Sequence, residues 1–185
     1  MPVKLNPNDA LLMVVDLQER LLPSIHDREE IVRRAVVMIR AARILELPII
    51  WTQQYRKGLG STEAAIVEAI GDAAEPIEKL AFGCLGDEDV AAAVKALGRS
   101  QLILCGIEAH VCILQTALRG IELGWEVFLA EDAIGSRRPS DRETGLRRLM
   151  QAGAIPATVE MLIMEALGVA GGGGFKAILP LLKEK

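Results

Sequence analysis

The chain has few aromatic side chains, and this scarcity already limits its fold. Phenylalanine, tryptophan and tyrosine make up only 3% of the 185 residues, whereas hydrophobic residues make up 51%. The core must therefore consist mainly of alanine, isoleucine, leucine and valine, which suits a parallel sheet that is buried on both faces. The hydrophobic fraction excludes a disordered chain, and the length fits one domain.

Cysteine and histidine are also scarce. The three cysteines are widely spaced and odd in number, which argues against a disulfide framework and for a reducing compartment. We therefore expect a cytoplasmic protein. The two histidines, together with the lack of CxxC and HExxH motifs, predict that the chain holds no metal and needs no cofactor.

The sequence lacks both an excess of basic residues and a long apolar run. Its formal net charge of -4 at pH 7 gives no electrostatic footprint for nucleic acid, so nucleic acid is not expected as a partner. Apolar runs such as residues 11–15 and 102–105 have only the length of strands, and residues 1–10 lack the apolar segment of a secretory signal. A membrane is therefore not expected as a partner. The high hydrophobic fraction favours a homo-oligomer, although two buried sheet faces would also account for it.

Apolar runs of strand length alternate with segments of helical period along the chain. The predicted strands span residues 11–15, 48–51, 76–81, 101–105, 125–130 and 157–163. The predicted helices span residues 28–47, 62–70, 87–97, 110–123, 141–152 and 175–182. This alternation predicts a three-layer α/β fold, with a six-stranded parallel sheet and helices on both faces. We expect the main domain over residues 1–170, completed by a glycine-rich hinge and a C-terminal helix over residues 171–185.

Three residues able to carry chemistry follow the predicted strands. Asp16 ends the first strand, Lys79 lies near the end of the third, and Cys112 follows the fourth near the start of a helix. In a doubly wound sheet the ligand site lies beyond the carboxyl ends of the strands, where the strand order reverses. We therefore expect these three side chains to converge on one cleft.

These three residue types suit acyl transfer. A thiolate is a strong nucleophile, and a helix N-terminus lowers the pKa of a thiol, so we expect Cys112 to be activated. Asp16 would accept the thiol proton and later deliver it to a leaving nitrogen, while the charge of Lys79 would stabilise the thiolate. Each residue also has a plain structural explanation: a turn or cap for Asp16, a solvated charge for Lys79 and a small buried side chain for Cys112.

Three segments carry a resemblance to a known family. They read VVDLQ at residues 14–18, EKLAFGC at residues 78–84 and GIEAHVCILQTA at residues 106–117. With these segments the chain resembles the isochorismatase-like cysteine hydrolase superfamily, and within it the small isochorismatase domain-containing proteins. The resemblance extends over nearly the whole chain, and the third segment is the most specific of the three.

The resemblance implies the strand order 3-2-1-4-5-6 and a catalytic triad of Asp16, Lys79 and Cys112. It also implies a cis peptide bond between Ile107 and Glu108. The backbone N–H groups of Glu108 and Cys112 would then form an oxyanion hole for the acyl intermediate. The alternative role for Glu108 is a turn residue whose side chain meets solvent or another subunit.

The sequence departs from the metal-binding members of that superfamily. Nicotinamidases bind a metal through an aspartate and histidines near the second strand, where this chain reads WTQQYR at residues 51–56, so such a metal site is not expected. Isochorismatases that hydrolyse a vinyl ether tend to lack the cysteine. Because this chain has Cys112, we expect acyl chemistry on a small-molecule substrate with an amide, imide or ureido carbon.

Several residues are candidates for the substrate pocket. Gln18, Gln53 and Tyr55 are the principal candidates, and Gln54 and Leu85 are further ones. Gln18 is equally consistent with a surface amide, and Tyr55 with a loop anchor. The glycine-containing segment that follows Tyr55 is expected to be a mobile lid or a contact with a neighbouring subunit.

Three functional hypotheses follow from these observations. The first is a metal-independent cysteine hydrolase, and the second is a catalytically idle family member that acts as an oligomeric interaction scaffold. The third is a thiol sensor, in which Cys84 would have to approach Cys112 in space. Otherwise Cys84 and Cys105 are expected to be structural, and His110 to lie at a helix cap or an interface.

Overall fold

Six parallel strands form a single sheet at the centre of the molecule. They are β1 (Ala10–Val15), β2 (Ile49–Gln54), β3 (Pro76–Lys79), β4 (Gln101–Ile107), β5 (Glu126–Gly135) and β6 (Ile155–Ala157). The structure is a computed structural model and describes residues 3–183. The strands lie in the order β3-β2-β1-β4-β5-β6, so the predicted parallel sheet and its strand order are confirmed.

Helices follow most of the strands and complete the three layers. They are α1 (Arg28–Ile44), α2 (Arg56–Leu59), α3 (Ala64–Ile70), α4 (Glu88–Leu97), α5 (Leu114–Glu122), α6 (Pro139–Gln151), α7 (Val159–Leu167) and α8 (Gly173–Lys183). A π-helical turn, Ala109–Ile113, leads directly into α5, and a 3₁₀ turn, Cys84–Gly86, precedes α4. None of the helices within residues 3–183 combines the length and the apolar character needed to cross a bilayer.

The two faces of the sheet bury separate clusters of mostly aliphatic side chains. Because side chains alternate along a strand, Leu12 and Val14 of β1 pack on the side of α1, α3, α7 and α8. Leu11, Met13 and Val15 pack on the opposite side, which we call the α4–α5–α6 face. The aliphatic core that the scarcity of aromatic residues predicts is thus divided between two layers.

The strands β1 and β4 lie side by side, with Val15 opposite Gly106. This close approach requires glycine, since φ at Gly106 is 118° and a Cβ placed there would lie 2.1 Å from the carbonyl oxygen of Val15. The carboxyl ends of β1 and β4 therefore bring Asp16 and the turn after β4 to the same edge of the sheet. This is the reversal point at which doubly wound sheets bind their ligands.

The stretch predicted as the sixth strand, residues 157–163, is mostly helix, so that prediction is wrong. The strand β6 ends at Ala157, and α7 begins at Val159. The hydroxyl of Thr158 caps this helix by accepting a hydrogen bond of 3.2 Å from the backbone N–H of Met161. The apolar residues that follow Thr158 pack against the sheet from a helix, and a short apolar run does not distinguish this case from a strand.

The C-terminal segment forms a helix that is slightly longer than predicted. The helix α8 begins within the glycine run, and its buried Ile178 packs in the same cluster as α1. The last two residues of the predicted segment 171–185 lie outside the described residues, as do the first two of the chain. The division of the chain at residue 170 stays a prediction.

Candidate active site

Asp16 directly follows β1, at a point where the backbone turns sharply. Its φ of 51° lies in the left-handed region, which aspartate tolerates better than most residues. The carboxylate Oδ2 lies 2.7 Å from Nζ of Lys79, and Oδ1 accepts a hydrogen bond of 2.8 Å from the hydroxyl of Thr52. Because Asp16 is only 1% exposed, these partners replace water around the carboxylate.

Lys79 ends β3 and places its ammonium group beside the same carboxylate. Besides Asp16, its Nζ donates to Gln54 Oε1 at 2.7 Å and to the carbonyl oxygens of Ala81 and Phe82 at 3.2 and 3.1 Å. Burial by itself would lower the pKa of Lys79, but Asp16 and then the nearby thiols raise it, and the net pKa lies above the ordinary lysine value. Lys79 is therefore a buried cation at neutral pH.

Cys112 lies in the π-helical turn after β4, on the α4–α5–α6 face. The Asp16 carboxylate is close enough to the Cys112 thiol to act on it electrostatically. Burial, followed by the negative charge of Asp16, raises the pKa of Cys112 well above its usual range, and Lys79 opposes this only in part. The thiol is thus protonated at rest, contrary to the expectation that a helix N-terminus lowers its pKa, because burial and the carboxylate outweigh the cation.

Lys79, Asp16 and Cys112 come together at one edge of the sheet, where Lys79 pairs with Asp16 and both charges act on the Cys112 thiol. Because the carboxylate is paired with the ammonium and also acts on the nearby thiol, it can take the proton of the sulfur as the sulfur attacks an electrophile. Cys112 is 7% exposed, whereas Asp16 and Lys79 are each 1% exposed. Cys112 is therefore the least buried residue of the three.

The turn that carries Cys112 is tied to the end of β5. The peptide bond before Glu108 is cis in the structure. The Glu108 carboxylate accepts hydrogen bonds from the backbone N–H and the guanidinium Nε of Arg137, at 3.0 and 3.1 Å. His110 Nδ1 lies 3.1 Å from the hydroxyl of Ser136. Glu108 therefore pairs within its own chain, and His110 contacts a neighbouring loop.

Gln18, a candidate for either the substrate pocket or the surface, lies in the interior of the protein. It is fully buried, and its amide Nε2 donates to the carbonyl oxygens of Gln54 and Gly60 at 3.0 and 2.8 Å. Its Oε1 accepts a hydrogen bond of 2.7 Å from the backbone N–H of Gln54. Gln18 therefore joins the ends of β1 and β2, and its amide is committed to backbone groups.

The structure does not bring Gln53 to the triad, and it places Tyr55 at the surface. Gln53 Nε2 donates to the hydroxyl of Thr62 at 2.9 Å, on the opposite face of the sheet, because successive side chains of a strand alternate. Tyr55 is 47% exposed, and its ring lies against Gly58, where an added Cβ would be 2.3 Å from the ring. This contact matches the alternative role of Tyr55 as a loop anchor.

The segment after β2, expected to be a mobile lid, is tied to the residues that follow β1. The backbone N–H groups of Glu19 and Arg20 donate to the carbonyl oxygens of Ser61 and Leu59, at 2.9 and 3.3 Å. The Arg20 guanidinium also donates to the carbonyl oxygen of Gly58 at 3.1 Å. The glycines here allow a tight helical turn, α2, which these hydrogen bonds hold in place.

Two polar side chains of β2 contact the triad, and the sequence reasoning did not assign this role to them. Thr52 bonds to Asp16, and Gln54 bonds to Lys79. Both lie on the same face of the strand as the apolar Ile50, and this alternation is the signal that would have identified them. No group of three or more His, Cys, Asp or Glu residues within the described part of the chain is arranged to hold a metal ion.

A second thiol lies beside the triad. Cys84 is fully buried, with its sulfur 3.8 Å from the hydroxyl of Thr52, and burial raises its pKa to about 11. The hydroxyl of Thr116 accepts a hydrogen bond of 2.8 Å from the Cys84 N–H and donates one of 2.6 Å to the Cys112 carbonyl oxygen. Cys105 lies on the opposite face of the sheet, where burial raises its pKa to about 12. Both additional thiols are protonated at neutral pH.

Comparison with known proteins identifies the family. A family model described as the Isochorismatase domain matches residues 10–161, a range that contains the triad and the turn after β4. The chain belongs to the isochorismatase family. The family resemblance that the sequence motifs indicated is thereby confirmed.

Curated relatives of this isochorismatase-family chain match it over nearly its whole length. Isochorismatase domain-containing protein 2A of Mus musculus is 40% identical over 182 residues, which cover 96% of this chain and 84% of the mouse protein. The secreted isochorismatase effector Isc1 of Phytophthora sojae is 33% identical over 184 residues, covering 98% of this chain and 88% of Isc1.

Solved structures of the same family share the fold closely. MAR1 ribonuclease from Caenorhabditis elegans has a TM-score of 0.93 and 35% identity, covering 99% of this chain and 94% of that one. YcaC from Pseudomonas aeruginosa, solved with hexane-2,5-diol and covalent acrylamide, has a TM-score of 0.91 and 29% identity, covering 98% and 92%. YcaC from Escherichia coli, an octameric hydrolase of unknown specificity, has a TM-score of 0.91 and 28% identity, covering 98% and 91%.

Proposed function

We propose that this isochorismatase-family chain is a cysteine hydrolase that cleaves a carbon–nitrogen bond of a small amide or ureido substrate. Cys112 is the nucleophile, Asp16 the general base and acid, and Lys79 the fixed positive charge. The observation that carries the proposal is the buried Asp16 carboxylate, which is paired with the Lys79 ammonium at 2.7 Å and acts on the nearby Cys112 thiol. The reaction uses no metal and no cofactor.

The proposed reaction has two steps, acylation of Cys112 and hydrolysis of the thioester, after which Cys112 and Asp16 have their original protonation states. The Cys112 sulfur attacks the carbonyl carbon while its proton passes to Asp16, and backbone N–H groups of Glu108 and Cys112 receive the negative oxygen. Asp16 then gives the proton to the leaving nitrogen, and the carbon–nitrogen bond breaks. The amine departs, and the acyl group remains on Cys112 as a thioester. Water attacks the thioester as Asp16 takes one of its protons, and the acid leaves as Asp16 returns that proton to the sulfur.

The raised pKa of Cys112 fits this route better than it fits a resting thiolate. A protonated thiol beside a carboxylate loses its proton only as the new bond forms, so proton transfer and attack are coupled. The covalent acrylamide in YcaC from Pseudomonas aeruginosa shows that this relative carries a group that reacts with a small electrophile.

A trapping experiment tests the proposal. The chain is incubated with a panel of small amides, imides and ureides, and with a short RNA because a close structural neighbour is a ribonuclease. Intact-mass spectrometry with peptide mapping is expected to find an acyl adduct on Cys112, and Cys112→Ala is expected to abolish both adduct and turnover. Turnover that survives in Cys112→Ala, or cleavage of RNA alone, contradicts the proposal.

A catalytically idle scaffold is the second candidate, and one observation favours it. Asp16, Lys79 and Cys112 are almost closed to solvent, at 1%, 1% and 7% exposure. Under this alternative no member of the panel is turned over by the wild type. Cys112→Ala then keeps both the oligomer and the interaction with any stable partner that a pull-down recovers.

We also propose that the chain forms a homo-oligomer. Leu80 is 72% exposed and Phe82 57% exposed, on the loop whose carbonyl groups hold Lys79, and the family member YcaC from Escherichia coli is an octamer. Analytical ultracentrifugation is expected to show an oligomer that Leu80→Glu with Phe82→Glu weakens, whereas Leu123→Glu, at another exposed leucine, leaves it intact. A wild-type monomer at micromolar concentration contradicts this proposal. A cytoplasmic location stays a prediction, and the relative Isc1 is a secreted protein.

A further inference from the structure

The Lys79 ammonium has more acceptors around it than it has protons. It carries three N–H bonds, and four oxygen atoms lie within hydrogen-bonding distance. The two shortest contacts, both 2.7 Å, are those with the Asp16 carboxylate and with Oε1 of Gln54. The neutral amide is therefore as close to the cation as the carboxylate is.

The amide of Gln54 is itself held in one orientation. Its Nε2 donates to the carbonyl oxygen of Leu80 at 2.8 Å, so the opposite end of the amide, Oε1, faces Lys79. Its backbone exchanges two hydrogen bonds with the side chain of Gln18, one in each direction. Gln54 is also 8% exposed, so water does not compete for these contacts. The acceptor that Gln54 offers to Lys79 is thus fixed before any substrate arrives.

The two close partners of Lys79 behave differently during the proposed reaction. When Asp16 accepts the proton of Cys112, its carboxylate becomes neutral and its attraction for the ammonium falls. The Gln54 amide does not titrate, so its hold on Lys79 is the same before and after the transfer. A group of this kind is needed if Lys79 is to stay beside the newly formed thiolate.

We infer that Gln54 is a positioning residue that holds the Lys79 ammonium in place while a proton passes between Cys112 and Asp16, and that its neutrality leaves the charge of Lys79 available to the thiolate. The inference rests on the proposed function, because it assigns a purpose to this proton transfer. A glutamate at the same position would have the same shape but a different effect. It would neutralise Lys79 and add negative charge near the sulfur.

The first test measures the pH profile of Cys112 alkylation by iodoacetamide in Gln54→Glu. The titratable groups that act on the Cys112 thiol are Asp16 after β1, Lys79 at the end of β3 and Cys84 in the turn after β3. A second carboxylate beside Lys79 is expected to move the profile to higher pH by about one unit, which makes alkylation about tenfold slower at a fixed pH on the rising limb.

A matched control lies one residue away. Gln53→Glu adds the same charge at a similarly buried position, but on the opposite face of the sheet, where the side chain contacts Thr62. It is expected to move the profile by less than half as much as Gln54→Glu. Gln54→Met removes the acceptor without adding charge, so Lys79 is held less firmly beside the thiolate, and the profile is expected to move upward by less than in Gln54→Glu. Equal shifts in the two glutamate variants, or an unchanged profile in Gln54→Met, overturn the inference.

A second measurement keeps the inference testable if Gln54→Glu does not fold. Acetic anhydride acetylates free lysine amines, and peptide mapping reports the rate at Lys79 relative to the exposed Lys95 of the same molecule. Lys79 is expected to be protected in the wild type and in Gln53→Met, and to react several-fold faster in Gln54→Met. Continued protection in Gln54→Met overturns the inference. Neither the alkylation profile nor the acetylation rate needs a substrate, so both outcomes are independent of whether amide hydrolysis is observed.

Discussion

At the scale of single residues, the burial of Lys79 makes it a structural residue as well as a chemical one. Lys79→Met leaves Asp16 buried without its cation, and stranding one member of a buried ion pair costs about 3–5 kcal/mol. We expect a loss of this size in the free energy of unfolding, measured by urea denaturation. The double variant Lys79→Met with Asp16→Asn removes both charges and is expected to recover part of the loss. A single variant as stable as the wild type contradicts the buried pair.

The Cys112 thiol gives a prediction about pH. Because burial and the Asp16 charge raise its pKa, alkylation by iodoacetamide is expected to be slow at neutral pH and to rise only in the alkaline range. Asp16→Asn removes the negative charge, so the profile of Cys112 is expected to move to lower pH even though turnover is lost. Peptide mapping separates Cys112 from Cys84 and Cys105. A wild-type profile with its midpoint below the ordinary thiol pKa of 9.0 contradicts the assignment.

The positions of the site residues were predictable, but their electrostatics were not. Asp16, Lys79 and Cys112 each follow a strand, and the ends of parallel strands meet at one edge of a sheet, so pattern alone places them together. The direction in which the Cys112 pKa shifts depends on burial and on its distance from Asp16. Neither quantity can be derived from the order of residues along the chain.

At the scale of secondary-structure elements, the contact between β1 and β4 depends on Gly106. A methyl group there would overlap the Val15 carbonyl and require an unfavourable φ, so Gly106→Ala is expected to cost about 2–4 kcal/mol. Gly153 is the matched control, since its φ of 105° is similar but nothing lies within 4 Å of an added Cβ. Urea denaturation of both variants separates the two costs, because Gly153→Ala has only the unfavourable φ, whereas Gly106→Ala has both the unfavourable φ and the overlap with Val15. Equal losses in the two variants would show that the close approach of the strands has no cost of its own.

The choice between strand and helix was predictable where the hydrophobic periodicity of a segment and its length indicate the same element. It was ambiguous where they do not. The strands β1 and β4 are apolar runs too short for a helix, and they were assigned correctly. Residues 157–163 were not, because the decisive feature is the hydrogen bond from Met161 to the Thr158 hydroxyl. The sequence could not separate Gln53 from Gln54 for a related reason, since the face of β2 that meets Lys79 decides which of the two amides bonds to it.

At the scale of the whole molecule, four buried groups are expected to make the free energy of unfolding fall as the pH becomes alkaline. Lys79, Cys84, Cys105 and Cys112 all have raised pKa values in the folded state, so they hold their protons more tightly when folded. Their contribution is complete below the ordinary thiol pKa of 9.0 and is lost as pH rises towards the folded values. We expect each thiol to lower the free energy of unfolding by about 1.4 kcal/mol per pH unit within that window.

Urea denaturation between pH 7.5 and about pH 10.5 measures this slope directly, since the window follows from the raised thiol values. Cys105→Ala is the informative variant, because Cys105 lies on the face of the sheet opposite the triad and its loss removes one thiol without touching the site. The variant is expected to show a shallower decline than the wild type. A stability that does not change with pH across this range contradicts the protonated state of the buried thiols.

The complete enclosure of the Lys79 side chain also bears on which molecules the protein selects. A cation whose hydrogen bonds are all directed at its own chain has none to offer a visiting carboxylate or phosphate. Lys79 therefore cannot select the ligand by binding an anionic group, and selection has to come from residues outside the buried site. Relatives with an identical interior can diverge in preference through their outer loops alone, so the loop sequences are the place to seek the identity of the ligand.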